Sequence, residues 1–361
     1  MMIMKKKRKR TEEEMNYLEE HNKKEKRVAV QKEQRRNMIQ TTYKLIRNVI
    51  VAGTLIGIGV YFFSIWYFRE IPVKAHYEFD QRRIAEIVSE ITRPLRYHEV
   101  DFRMQSEYAL LINISNGRVL FDHQADIQTF PASVTKIMTV LVGLENGNLN
   151  DEVVVDADFD LLFLSGAMQS GFVYGEVRSL EEILNAVMLA SGAEATWALA
   201  NHVAGSYDAF VDLMNNKARE LGMNQTNFVT TTGLHDENHY TTANDIAILL
   251  MYALENPDFR GIFTSATYEL ETPNSRGSKL ESTLFAFAPT TDFESGRILG
   301  GRTGFTTPAG RCLASLATND IDEFILITFG APDPDFTNQI AHILDALIIY
   351  EYFLEVDEED W

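Results

Sequence analysis

A chain of 361 residues with 45% hydrophobic content is long enough to bury one large core or two ordinary ones, which excludes an intrinsically disordered protein. The net charge of -19 is divided unevenly: through Arg47 there are 15 Lys/Arg against 7 Glu, so a basic head precedes a strongly acidic body. Such a body repels phosphate backbones instead of releasing their counterions, so no nucleic-acid partner is expected, and the single cysteine, Cys312, excludes an intrachain disulfide.

Residues 1–48 hold charge runs such as Glu12-Glu13-Glu14 and Gln34-Arg35-Arg36 without a sustained apolar heptad, and read as a solvated cytoplasmic tail. Residues 49–68, VIVAGTLIGIGVYFFSIWYF, run 20 residues without a charge, enough to cross a hydrocarbon core of roughly 30 Å. Lys44 and Arg47 flank one end and Arg69 the other, and Tyr61, Trp66 and Tyr67 suit an interfacial belt. No small-x-small cleavage site follows, so an uncleaved single-pass anchor is expected, with the basic N-terminus inside and all that follows Arg69 outside the cell. Gly53 and Gly57 form a GxxxG pair, which lipid-facing glycines also explain. A spacer over 69–100 contains one short predicted helix, about 82–91, stopped before Pro94.

Globular sequence follows over 101–361. Strand-like runs at 108–113 and 119–122 flank Asn116-Gly117, a strong hairpin signal because both residues tolerate positive φ. Ser133 opens an apolar-faced helix to about Glu145, ended by Asn146-Gly147. Ser179 with Glu182 reads as a capping box ahead of another helix, and a further one spans about 195–203. A helix bearing Phe210, Leu213, Met214 and Leu221 ends at Gly222, and Thr242 and Asp245 can cap one that runs to Leu254. Three strands, 299–303, 311–317 and 323–329, are joined by short turns, and a helix over about 336–353 precedes an acidic tail. Strands at both ends around a helical middle indicate an α+β layer fold, its antiparallel sheet completed by distant segments.

The chemistry concentrates in three places. In Pro131-Ala132-Ser133-Val134-Thr135-Lys136 a serine and a lysine three residues apart share one helical face, so the amine can reach the hydroxyl. Lysine serves as a base only if desolvation or nearby positive charge lowers its pKa. SxxK alone is a weak signal, more often an N-cap serine with a solvated lysine. Ser191-Gly192-Ala193 falls in a break between two predicted helices, and Gly301-Arg302-Thr303-Gly304 on a predicted strand just before a turn.

With these three segments the chain resembles the D-alanyl-D-alanine carboxypeptidases, low-molecular-weight penicillin-binding proteins of the serine β-lactamase/transpeptidase fold, whose motifs SxxK, SxN and KTG occur in this order. Also similar are Ala132 to Thr139 (ASVTKIMT), Tyr174-Gly175-Glu176, Leu221-Gly222-Met223, Gly233-Leu234, His239 to Ala243, and Ala309-Gly310-Arg311. The likeness spans about 106–332. It implies that Ser133 attacks the carbonyl between two D-alanines, that Lys136 accepts its proton, and that Ser191 relays a proton toward the leaving amine. It further implies an oxyanion hole from the backbone N–H of Ser133 and Phe305, a terminal carboxylate held by Arg302 and Thr303, and substrate contacts at Gly304 and Ala193. No cofactor is implied. The expected partners are peptidoglycan stem peptides, with β-lactams as inhibitors trapped on Ser133, in a Gram-positive cell envelope.

Two positions depart from the pattern. Ala193 stands where the family has Asn, removing an amide worth roughly 1–3 kcal/mol if nothing replaces it. Arg302 stands for Lys, keeping the charge but with a bulkier fork. A catalytically weakened or non-catalytic peptidoglycan- or β-lactam-binding protein therefore stays open as an alternative, and a β-lactamase behind it. The family's usual C-terminal β-domain and amphipathic anchor are not expected after Phe329, leaving anchoring to the N-terminal helix. His235 and His239 lack an HExxH pattern, so no metal is expected there, and Cys312 reads as a small buried residue.

Overall fold

The computed structural model describes residues 103–157, 166–333 and 339–354. The basic tail (1–48), the apolar span (49–68), the spacer (69–100) and the acidic end beyond 354 lie outside the described residues. Among the described residues no helix is long and apolar enough to cross a membrane.

β1 (Tyr108–Asn113) and β2 (Arg118–His123) form the predicted hairpin. Gly117 takes φ +75 in its turn, and the Asn113 side chain accepts the backbone N–H of Ser115 and Asn116. The 3-10 turn Ala132–Thr135 runs straight into α1 (Lys136–Asn146), where one helix is expected from Ser133 onward. The difference lies at Ala132, whose φ of +46 turns the chain sharply before the helix can start.

β3 (Glu152–Val154) and β4 (Val177–Ser179) make a small pair beside α2 (Leu180–Met188). The capping box at the start of α2 is complete: Ser179 accepts from the Glu182 backbone N–H, and Glu182 reaches back to the Ser179 N–H. α3 (Ala193–Ala204) and α4 (Tyr207–Glu220) follow, the latter ended by Leu221 and Gly222, with Gly222 at φ +78. α5 (Ala243–Leu254) is capped by Thr242, and α6 (Pro257–Thr264) begins with proline at its first position. The hairpin β5 (Thr267–Asn274) and β6 (Gly277–Glu281) has no counterpart in the sequence expectations, because Leu270 and Leu280 are its only buried hydrophobic residues. α7 (Thr283–Phe287) leads to β7 (Asp292–Phe293), β8 (Gly296–Thr306), β9 (Gly310–Thr318) and β10 (Glu323–Ala331), and α8 (Ala341–Leu354) closes the described chain. Of the predicted last helix, 336–338 lie outside the described residues, and Gln339-Ile340 form a turn.

Six strands form one antiparallel sheet in the order β2-β1-β10-β9-β8-β7. Alternation gives the sheet two apolar faces. Leu111, Leu313, Ala317 and Leu326 meet Ile343, Ala346, Ile349, Tyr350 and Phe353 of α8. Leu110, Ile112, Ile325 and Ile327 are buried on the other face, where α5 packs against β10 and β1. The buried Asp345 carboxylate accepts the backbone N–H of Gln105 and Ser106 and the Ser106 hydroxyl, fastening the start of the described chain to α8. This is the expected α+β architecture, with the nucleophile turn packed against β8 and β9.

Candidate active site

Ala132 sits in the left-handed region, which costs an L side chain about 1–3 kcal/mol and persists only where surroundings enforce it. Here they do. Gly233, at φ +80, lies so close that a Cβ on it would stand 1.7 Å from the Ala132 carbonyl oxygen. The Thr135 hydroxyl donates to that carbonyl at 2.8 Å and also lies 2.8 Å from Nε2 of His239. Having donated its only hydrogen, Thr135 accepts from Nε2, so His239 carries its proton there. Nδ1 accordingly accepts the N–H of Val229 and Thr230 at 3.0 and 3.3 Å. Burial pushes the His239 pKa down to about 4, in keeping with a neutral ring.

On this braced turn the Ser133 Oγ lies 3.3 Å from Lys136 Nζ and 3.3 Å from Ser191 Oγ. Lys136 is 2% exposed and also donates to the Thr232 carbonyl at 2.6 Å. Its pKa is held well below the ordinary lysine range, first by burial and second by the Arg302 charge, while the Glu194 carboxylate pulls the other way. Ser191 sits between α2 and α3 with φ +61, so its hydroxyl is aimed by an unusual backbone.

Arg302, expected from the resemblance to hold the terminal carboxylate, is 0% exposed. Nε donates to the Ser133 carbonyl at 3.1 Å, Nη1 to the Met188 carbonyl at 2.6 Å, and Nη2 to Ser191 Oγ. The guanidinium thus braces the nucleophile turn and Ser191 in place of the expected open clamp. Burial lowers its pKa to about 9, so it remains cationic at neutral pH.

Ala193 is 1% exposed and packs with Ala157, Ala167 and Trp197. The neighbouring Glu194 is fully buried: Oε1 accepts from Ser170 N, Ser170 Oγ, Gly171 N and Phe172 N, and Oε2 has no partner among the described residues. Thr303 is half-buried, its hydroxyl 2.7 Å from that of Thr283. Gly304 lets β8 approach the nucleophile, since a Cβ there would stand 2.8 Å from the Ser133 backbone nitrogen. Phe305 follows, stacked under Arg311, whose guanidinium carbon is 4.1 Å from the ring centroid.

All eight residues singled out from the sequence, Ser133, Lys136, Ser191, Ala193, Arg302, Thr303, Gly304 and Phe305, line one cleft of about 240 Å³. Thr232, Gly233, Arg311 and His342 also line it, while His239 meets Thr135 of the nucleophile turn and Glu194 follows the lining residue Ala193. The sequence carried no signal for Glu194 and His342, showed Gly233 and Arg311 only as flanking likeness, and offered His239 as flanking likeness and as a metal ligand set aside for want of an HExxH pattern. Cys312 is buried with its thiol pushed up to about 12, so it is inert at neutral pH. Among the described residues no group of three or more His, Cys, Asp or Glu is placed to hold a metal.

A serine flanked by a buried lysine and a second serine, on a turn against an antiparallel sheet, defines a penicillin-binding, transpeptidase-like domain. The same architecture recurs in the Streptomyces K15 DD-transpeptidase (TM-score 0.63, 24% identity, covering 71% of this chain and 100% of that one) and in a D-alanyl-D-alanine carboxypeptidase from Mycobacterium tuberculosis H37Rv (TM-score 0.61, 21% identity, 74% and 97%). The chain belongs to the D-alanyl-D-alanine carboxypeptidase family, whose profile matches residues 96–333. It is 32% identical over 249 residues to D-alanyl-D-alanine carboxypeptidase DacF of Bacillus subtilis, covering 67% of this chain and 61% of that one. It is 29% identical over 220 residues to a D-alanyl-D-alanine endopeptidase of Escherichia coli, covering 57% and 64%. The chain spans less than two thirds of the length of these curated relatives.

Proposed function

We propose that the protein is a serine-type D-Ala-D-Ala carboxypeptidase that removes the terminal D-alanine from peptidoglycan stem peptides. The observation that carries this reading is the contact of Ser133 Oγ with both Lys136 Nζ and Ser191 Oγ at 3.3 Å, beside a strand whose glycine leaves the Ser133 N–H accessible. Neutral Lys136 takes the Ser133 proton as Oγ attacks the carbonyl. The C–N bond then breaks, and the proton passes by way of Ser191 to the departing amine. Ser133 N–H and Phe305 N–H hold the oxyanion, each donor worth about 3–4 kcal/mol. Water cleaves the resulting ester, the shortened peptide leaves as a carboxylate, and Ser133 regains its proton. A β-lactam enters the same acylation and leaves slowly.

The uncharged span at 49–68 between basic flanks supports a single-pass anchor with the catalytic domain outside the cell, where peptidoglycan lies. Membranes carrying the full chain are labelled with a fluorescent penicillin, with and without Ser133→Ala, and D-alanine release from a stem pentapeptide is measured in parallel. Label and release are both expected from the wild type, falling at least about 1,000-fold in the variant. Label without release supports the binding-protein alternative, and no label on folded wild type rejects the acylation chemistry. For the anchor, carbonate-washed membranes retain the protein, and protease added outside intact protoplasts removes the domain.

A further inference from the structure

With Arg302 committed to protein acceptors, the cleft needs another cation if it is to read a free carboxylate. Arg311 meets the geometric conditions. It is the second residue of β9, directly opposite Phe305 in the β8–β9 register, and alternation along β8 puts Thr303 on the same face as Phe305. Its guanidinium lies over the Phe305 ring, which fixes the plane of the fork. Nε and Nη2 both donate to the same Asp333 oxygen, at 2.9 and 2.7 Å, and Nη1 has no hydrogen bond among the described residues. The side chain is 16% exposed, against 0% for Asp333. The fork is therefore held on its Nε edge by Asp333, in a residue that belongs to the cleft lining.

A second, independent feature marks the same corner. His342, in the first turn of α8, lines the cleft, is 2% exposed, and has a buried Nδ1 with no partner among the described residues. A buried polar atom left unpaired is costly unless something visits it. The fork of Arg311, the neutral imidazole and the positive end of α8 together suit one anionic oxygen pair next to Thr303.

We propose that Arg311, supported by His342, is the residue that reads the terminal carboxylate of the scissile peptide, while Arg302 positions Ser191. The site takes peptides ending in a free α-carboxylate and discriminates against those ending in a neutral group. This rests on the acyl-transfer reading above.

The test compares kcat/KM for a diacyl-Lys-D-Ala-D-Ala peptide and its C-terminal carboxamide on the full chain, following release of D-alanine or D-alaninamide. Wild type is expected to prefer the carboxylate, and Arg311→Gln to lose roughly 10- to 100-fold of that preference, chiefly through KM. Arg311→Lys recovers part of it, and Arg302→Lys keeps the wild-type ratio while changing kcat. Urea unfolding curves check that each variant is folded. An unchanged ratio in folded Arg311→Gln overturns the proposal, as does a ratio that collapses in Arg302→Lys instead. If wild type turns over neither peptide and takes no label, the acyl-transfer reading itself has failed.

Discussion

Lys136 and Arg302 are both buried basic side chains, and their closeness shapes how the nucleophile is activated. Taking an ammonium out of water favours its neutral form, and a second positive charge nearby adds to that, so Lys136 has a free amine at lower pH than an exposed lysine would. Acylation requires that free amine. The rate of acylation by penicillin is therefore expected to rise with pH through the lowered Lys136 pKa and to level off well before the ordinary lysine range. Arg302→Gln removes the neighbouring charge, so the Lys136 pKa climbs and the rising limb moves to higher pH, whereas Arg302→Lys leaves it near the wild-type position. Rates measured from pH 5 to 10 decide this, and an unmoved limb in Arg302→Gln rejects the coupling. At the same scale, Ala193 leaves no side-chain amide at a position where the family has one. Its methyl packs with Ala157, Ala167 and Trp197, and the adjacent Glu194 carboxylate favours the charged form of Lys136.

At the level of elements, the site depends on how closely strand β8 lies against the turn that bears Ser133. Gly304 makes that approach possible, because any Cβ there meets the Ser133 nitrogen at 2.8 Å, the Ala132 Cβ at 3.1 Å and the Val134 nitrogen at 3.2 Å. Gly304→Ala is expected to push strand and turn apart by a few tenths of an ångström. Acylation should fall about 100-fold, comparable to losing an oxyanion donor, with a stability loss of only about 1–3 kcal/mol. Penicillin acylation rates set beside urea unfolding curves separate the two effects, and unimpaired acylation shows that the close approach does not matter. Helix and hairpin identities were largely readable beforehand because their signals are local: the capping box of Ser179 and Glu182, the Asn116-Gly117 turn, the Gly222 stop. The β5–β6 hairpin was not, since its residues are mostly exposed and polar and its pairing has no apolar alternation to announce it.

For the molecule as a whole, buried neutral histidines set an acid limit. His239 takes up a proton near pH 6.5 when unfolded and only near pH 4 when folded, and burial moves His342 from 6.5 to about 3, with Arg311 adding to the effect. Between about pH 6.5 and 4 the unfolded chain binds more protons, so the stability present above pH 6.5 is lost as pH falls. For His239 alone the loss amounts to roughly 3 kcal/mol. Urea unfolding at pH 7 and pH 5 should show the decline, and NMR of the two imidazoles should show no titration in the folded state over that range; flat stability or titrating rings reject it. Because the protonated His239 can no longer accept from Val229 and Thr230, the nucleophile turn is the expected first casualty.

Amino-acid order alone was enough for the charge division, the helix caps, the hairpin and the three motif segments, because each depends on neighbours within a few positions along the chain. Folding decided the rest. Whether Arg302 meets substrate or braces Ser191, whether His239 supports a turn at Ala132, and which arginine shares the cleft with Thr303 depend on burial and on contacts between segments far apart in the chain. Local patterns carry no record of such contacts.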